Sequence, residues 1–235
     1  MRDYLSRTLN KTFGLLSLKK KAQQSSSDVY KESLFIKPFI TIAREPGSGG
    51  AVIAKAVADK LGFELVDKQI IEEIAKSVKR RKEVIASLDE KTRGAVEDLL
   101  DSVLDPEYVN EEKYISELFK IVIAYAHKGH VVILGRGANF VTPFAKGLHV
   151  NIVAPYAVRV KRAMDFEGLS REKAREVIAR VEKQRSDFVK KYISSDIKKR
   201  NAYDLTLNTT YFRIDEARDV VIEAFRQKFS RSFKG

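Results

Sequence analysis

Seven residues, 44-REPGSGG-50, are the part of this sequence whose types and spacing most directly suggest chemistry. The apolar run Phe39-Ile40-Thr41-Ile42-Ala43 leads into them as a strand, and a helical pattern starts at Ala51. Glycines at 47, 49 and 50 tolerate backbone angles closed to other residues, so the turn can aim successive N–H groups at one anion. The N-terminus of the following helix adds its partial positive charge, which suits phosphate. The nucleotide-binding signature G-x-x-x-x-G-K-[ST] puts a lysine on the terminal phosphates and a hydroxyl on magnesium. With Gly49 as its second glycine, Arg44 stands at the first glycine, Gly50 at the lysine and Ala51 at the hydroxyl. Three of four signature positions have changed, and an ordinary glycine-rich strand-to-helix turn explains the pattern equally well.

A second group of residues could hold anions. Arg136 follows the apolar run 131-VVILG-135, and a guanidinium at a strand's C-terminal end can grip phosphate with two parallel hydrogen bonds. An arginine exposed in a loop, or paired with a carboxylate, fits the position as well. Asp67 ends the short strand Phe63 to Val66, where a lone aspartate serves as N-cap of the next helix. Residues 156–200 carry fourteen Lys/Arg against seven Asp/Glu, which describes a solvated basic helix or a cationic flap over an anion. His127, His130 and His149 are scattered without metal-ligand spacing and read as structural.

Positioning these groups requires strands that alternate with helices. Ile53, Ala54, Val57, Ala58 and Leu61 make a helix face closed by Gly62, and Ile70, Ile71, Ile74, Ala75 and Val78 make another. Residues 79–110 are charged and weakly patterned, and Ile115, Leu118, Phe119, Val122 and Ala126 restore a helix ending at Gly129. The runs 130-HVVILG-135 and 148-LHVNIVA-154 have the continuous apolar pattern of strands covered on both faces. Ala174, Val177, Ile178 and Val181 mark a long basic helix, Tyr203 to Leu207 a last strand, and Ala217 to Phe225 a last helix. The order predicts an α/β fold: a parallel five-stranded sheet flanked by helices.

Composition narrows the classes further. A hydrophobic content of 44% can fill a core, and no window offers the roughly 18 apolar residues of a membrane span. Without cysteine there is no thiol nucleophile and no cysteine-held zinc, which agrees with a cytoplasmic setting. The net charge of +12 asks for an anionic partner. Residues 1–36 read as a basic amphipathic extension, with Leu5, Leu9, Phe13 and Leu16 near helical spacing. Asp3 and the missing cleavage signal argue against a transit peptide, so the segment reads as a helix docking on the domain or on a second copy, as in a homo-oligomer.

The stretch 40-ITIAREPGSGGAVIAKAVADKLG-62 resembles the opening of cytidylate kinases without a gap, and is more similar still to the cytidylate kinase-like family. There an R-E-x-G-S-G-G loop is usual. The likeness runs from about residue 38 to about residue 226. It implies a P-loop kinase fold over residues 37–235, with a helical lid at about 156–200. It also implies phosphoryl transfer from ATP to a pyrimidine nucleoside monophosphate, CMP or dCMP. In that reading Gly47, Ser48, Gly49 and Gly50 hold the donor phosphate, and Arg44 replaces the missing lysine. Gly135-Arg136 resembles the family's G-R-D, whose arginine contacts the acceptor monophosphate, and Asp67 stands where the acceptor nucleoside begins to be held. Arg159 and Arg162 match the paired arginines after the fourth strand. Arg159 then belongs to the acceptor, while Arg162 and Arg185 neutralise the transferring group. Mg2+ is expected beside ATP without a clear protein ligand, since the family's aspartate is Gly137 here and position 134 is Leu. The rival readings are a nucleotide-binding pseudokinase and a nucleic-acid-binding protein. The second rests on charge alone, without aromatic interleaving, and nucleic acid is not the expected partner.

Overall fold

The computed structural model of the chain describes residues 34–35, 37–104 and 113–230. Five parallel strands form one sheet in the order β2-β3-β1-β4-β5: β1 Phe39–Arg44, β2 Glu64–Val66, β3 Val131–Leu134, β4 Gly147–Val153 and β5 Leu205–Asn208. The amphipathic extension read at residues 1–36 lies outside the described residues save for Leu34 and Phe35. Those two are already core, at 7% and 1% exposure, so packing begins before the compositional shift at residue 37.

Side-chain alternation along the strands sorts the core into two layers, as a period of two requires. Phe39, Val131 and Ile133 face one layer, under α2 Lys68–Lys76, α4 Glu90–Val103 and α5 Lys113–Lys128. Ile40, Ile42, Val132 and Leu134 face the other, under α1 Gly50–Leu61 and α9 Ile214–Lys228. The weakly patterned stretch after Val78 is helical too, as α3 Val78–Ala86 followed by α4. Short α6, Ala138–Val141, follows β3, and α7 Tyr156–Glu167 and α8 Arg171–Ile193 occupy the basic stretch. Those two helices share a small cluster of Val160, Ala163, Ala174 and Ile178.

The topology fixes where a ligand can sit. From β1 the chain runs outward to β2, returns through β3 beside β1, and then continues to β4 on the other side. The crevice beyond the carboxyl ends of β1 and β3 is therefore the switch point at which doubly wound sheets bind ligands. Arg44 is the last residue of β1, and Arg136 lies two residues beyond β3.

Candidate functional site

The loop 44–50 joins β1 to α1 through two left-handed glycines, Gly47 at φ 76° and Gly49 at φ 83°. Gly49 is the N-cap of α1 and brings no capping side chain, which leaves the helix end to its backbone donors. The Ser48 side chain is wholly buried and its hydroxyl donates to the Glu45 carbonyl at 2.8 Å. Gly47 packs on α7 so closely that a Cβ would stand 2.8 Å from the Arg159 carbonyl oxygen.

Gly50, at the lysine position of the signature, is filled by its neighbour. A Cβ there would meet the Arg44 Cβ at 2.5 Å and Cγ at 3.0 Å. A Cβ on Gly135 would lie 2.2 Å from the Arg44 Nη1, with φ at +83° besides. Arg44 therefore runs through space that two glycines vacate, past the helix start and against the end of β3. A side chain at position 50 and an arginine at position 44 compete for one volume.

Arg44 opens into a cavity of about 340 Å3, lined also by Lys68, Gly135, Arg136, Asn139, Phe140, Gln184, Arg185 and Phe188 among others. Four cations thus converge from β1, α2, the turn after β3 and α8. Burial, then Arg185 and Arg136, pull the Arg44 guanidinium down to about 10, against Asp67, which raises it. Burial lowers Arg136 and Arg185 as well. Lys68 is lowered by desolvation and then by the three arginines. Arg44 and Lys68 are thus disfavoured by their cationic neighbours, an imbalance that an anion in the cavity would relieve.

Arg136 has left-handed backbone, φ 55°, and its guanidinium lies 5.5 Å from the centre of the Phe188 ring. Its Nη2 meets the Glu72 carboxylate as a charge pair, and neither Nη2 nor the buried Nε makes a hydrogen bond among the described residues. The Arg185 Nη1 donates to the Arg44 carbonyl at 2.5 Å, which ties α8 to the start of the loop.

Two of the arginines picked out by sequence lie elsewhere. Arg159 is 5% exposed and donates from Nε to the Ala154 carbonyl at 2.9 Å and from Nη1 to Glu182 at 2.7 Å and to the Pro46 carbonyl at 3.4 Å. It also sits 3.4 Å from Glu45. Read from the sequence as an acceptor ligand, it is not among the residues lining the cavity. Arg162 donates to the Ser48 carbonyl at 3.2 Å and to the Thr209 carbonyl at 2.7 Å, binding the loop to the end of β5. Asp67 caps α2, its carboxylate accepting from the Ile70 N–H at 3.0 Å, and is not among the residues lining the cavity. Lys68 and Glu72 were missed by sequence reading. Their i, i+4 spacing, in a segment read for its apolar face, was the available signal.

The hydroxyl that the signature would turn to magnesium is missing from the loop. Ala51 stands at the hydroxyl position, and the Ser48 hydroxyl is turned into the turn itself. Among the described residues no group of three carboxylate or histidine side chains could hold a metal ion.

A model of the cytidylate kinase-like family matches residues 39–211. A cytidylate kinase of Ignicoccus hospitalis is 30% identical over 174 residues, covering 72% of this chain and 88% of its own. One from Sulfolobus acidocaldarius is 23% identical over 189 residues, covering 80% and 94%. In fold, the chain is similar to the crystal structure of an uncharacterized protein from Eubacterium ventriosum, with a TM-score of 0.63 at 22% identity over 82% of this chain and 99% of that one.

Proposed function

The chain belongs to the cytidylate kinase-like family, and from that premise we propose that it transfers a phosphoryl group from ATP to a pyrimidine nucleoside monophosphate, CMP or dCMP. One observation carries the reading: Arg44, Lys68, Arg136 and Arg185 converge on a cavity beside the glycine loop, at the switch point of the sheet. In-line transfer between phosphates needs no nucleophilic side chain. It needs two anions held end to end and charge to balance the transferring group.

In this reading the backbone of Gly47, Ser48, Gly49 and Gly50 holds the donor phosphates at the start of α1. Arg44 stands between loop and cavity and takes the part of the lysine absent at position 50. Arg136 and Lys68 hold the acceptor phosphate. Arg185 follows the transferring group from α8, and its bond to the Arg44 carbonyl couples lid position to loop position. Arg159 and Arg162 shape the loop from behind through carbonyl and carboxylate partners. Asp67 keeps α2 capped so that Lys68 points toward the acceptor. Any Mg2+ arrives with ATP, because Ala51 has no hydroxyl at the signature position and the Ser48 hydroxyl is engaged within the turn.

A pseudokinase that binds nucleotide without turnover is the second reading, favoured by Gly50 and Ala51 at the two side-chain positions of the signature. The deciding assay follows ADP release from ATP with CMP, dCMP, UMP and AMP in turn. Turnover with CMP or dCMP above the others supports the proposal. A melting temperature that rises with ATP, and no turnover of any monophosphate, establishes the pseudokinase instead.

A further inference from the structure

Among the described residues, Glu72 is the carboxylate that pairs directly with the cavity's cations. It meets Arg136 at Nη2 and stands 3.7 Å from the Lys68 Nζ, one turn earlier on α2. Resting on the acceptor reading above, we propose that Glu72 is a built-in counter-ion that competes with the incoming ligand for Arg136 and Lys68. The cavity then admits a dianionic phosphate monoester and turns away monoanions.

The argument is an exchange of contacts. In the structure Arg136 meets the carboxylate only as a charge pair at Nη2, and among the described residues neither its buried Nη2 nor its buried Nε has a hydrogen-bond partner. A phosphate monoester brings three terminal oxygens and about −1.5 to −2 charge at neutral pH. It can take Nε and Nη2 side-on together, the bidentate geometry that a guanidinium favours. A monoanion entering instead would replace one negative charge by another and gain little. The dianion has the advantage because four cations line the cavity and, once Glu72 is displaced, only the through-space pull of Asp67 on Arg44 and of Glu182 on Arg185 opposes them among the described residues, while Arg44 and Lys68 are each disfavoured by cationic neighbours.

Two features suit Glu72 to release rather than to bracing. Its side chain is 30% exposed, so the freed carboxylate can turn to water. Arg136 is also held independently, by its left-handed backbone and its place over the Phe188 ring, so it keeps its position when the pair opens. A carboxylate needed to orient Arg136 would give the opposite result on removal, so the sign of one measurement separates the two roles.

The test is Glu72→Gln in the full chain, with Glu72→Asp as a second, shorter carboxylate and ligand-free unfolding midpoints to establish that both variants fold. Titration calorimetry with inorganic phosphate, CMP and formate reads the affinities. Phosphate and CMP should bind Glu72→Gln about tenfold more tightly than wild type, equivalent to about 1.4 kcal/mol, with Glu72→Asp between the two. Formate, which should give no measurable heat with wild type, should bind Glu72→Gln detectably in the absence of phosphate. Equal or weaker phosphate binding by Glu72→Gln overturns the counter-ion role while the acceptor reading stands. Failure of every form to bind either phosphate or CMP overturns both.

Discussion

If Arg44 occupies the volume vacated at position 50, a methyl group placed there must collide with it, and the collision must disappear when Arg44 is removed. In Gly50→Ala the new Cβ would lie 2.5 Å from the Arg44 Cβ, 3.0 Å from its Cγ and 3.2 Å from the Ile152 Cβ. The first distance needs about 1 Å of relief, at a point fixed by β1 and α1 together, and overpacking of that kind costs roughly 1–3 kcal/mol. Alanine's helix propensity returns up to about 1 kcal/mol. A net loss of about 1–2 kcal/mol remains, equivalent to about 2–8 °C in melting temperature for a chain of this size. In an Arg44→Gly background the nearest remaining atom is the Ile152 Cβ, so the same substitution should be close to neutral. Urea unfolding of wild type, both single variants and the double variant gives an interaction energy of about 1–2 kcal/mol, if the slopes agree. The same cost for Gly50→Ala in both backgrounds would refute the exchange of arginine for lysine. Gly50 would then be required by the turn alone.

Three further outcomes follow from the same geometry. Arg136→Ala should weaken CMP by roughly 1.5–3 kcal/mol, the range for a charge-assisted hydrogen bond, and leave ATP nearly unchanged. Calorimetry showing equal losses for both nucleotides would remove Arg136 from the acceptor. His149 is buried, bonded to the Thr41 hydroxyl at 2.8 Å, and burial pushes it down to about 4 despite the opposing pull of Asp204, which also pairs with Lys228. Its folded-state value lies below the unfolded 6.5, so the stability it carries is complete above pH 6.5 and is lost as the pH falls toward 4. Urea unfolding should show about 2 kcal/mol lost between pH 7 and pH 5, and a pH-flat result, or the same slope in His149→Asn, counts against it. A chain starting at Ser33 should fold and bind nucleotide as the full chain does. One starting at Lys37 loses Leu34, Phe35 and the Leu34 carbonyl's partnership with His127, and should be less stable by several kcal/mol in circular-dichroism melts.

What the sequence made legible divides along physical lines. The runs 131-VVIL-134 and 148-LHVNIV-153 could be read because strands covered on both faces repeat apolar residues without a break. Asp67 could be read as an N-cap because capping is decided within one helical turn. Helix α3 could not, since its packing on the core runs through Val84 rather than through a regular apolar stripe. Polar reach adds to that hold, with Arg81 donating to the Ala75 carbonyl at 2.8 Å and pairing with Glu117 at 3.3 Å. The arginines show the same limit. Arg159 and Arg162 stand three residues apart on one helix, and only their tertiary neighbours reveal that both turn toward the back of the loop.

The glycines carry the least legible part of the site and the most consequential. In the sequence Gly50 is a lost lysine and Gly135 an ordinary strand end. In the fold they are two sides of one channel, and Arg44 fills it. A lysine on the first turn of α1 reaches its phosphate along a flexible stem. An arginine at the end of β1 is fixed at its root by the sheet and led between two backbones, so it gives up little further freedom on meeting a ligand. On the proposed function, moving the cation from helix to strand keeps charge at the phosphate, and it closes position 50 to side chains. The substitutions at 44 and 50 are then one change, and a loop that looks degraded position by position is internally consistent in three dimensions.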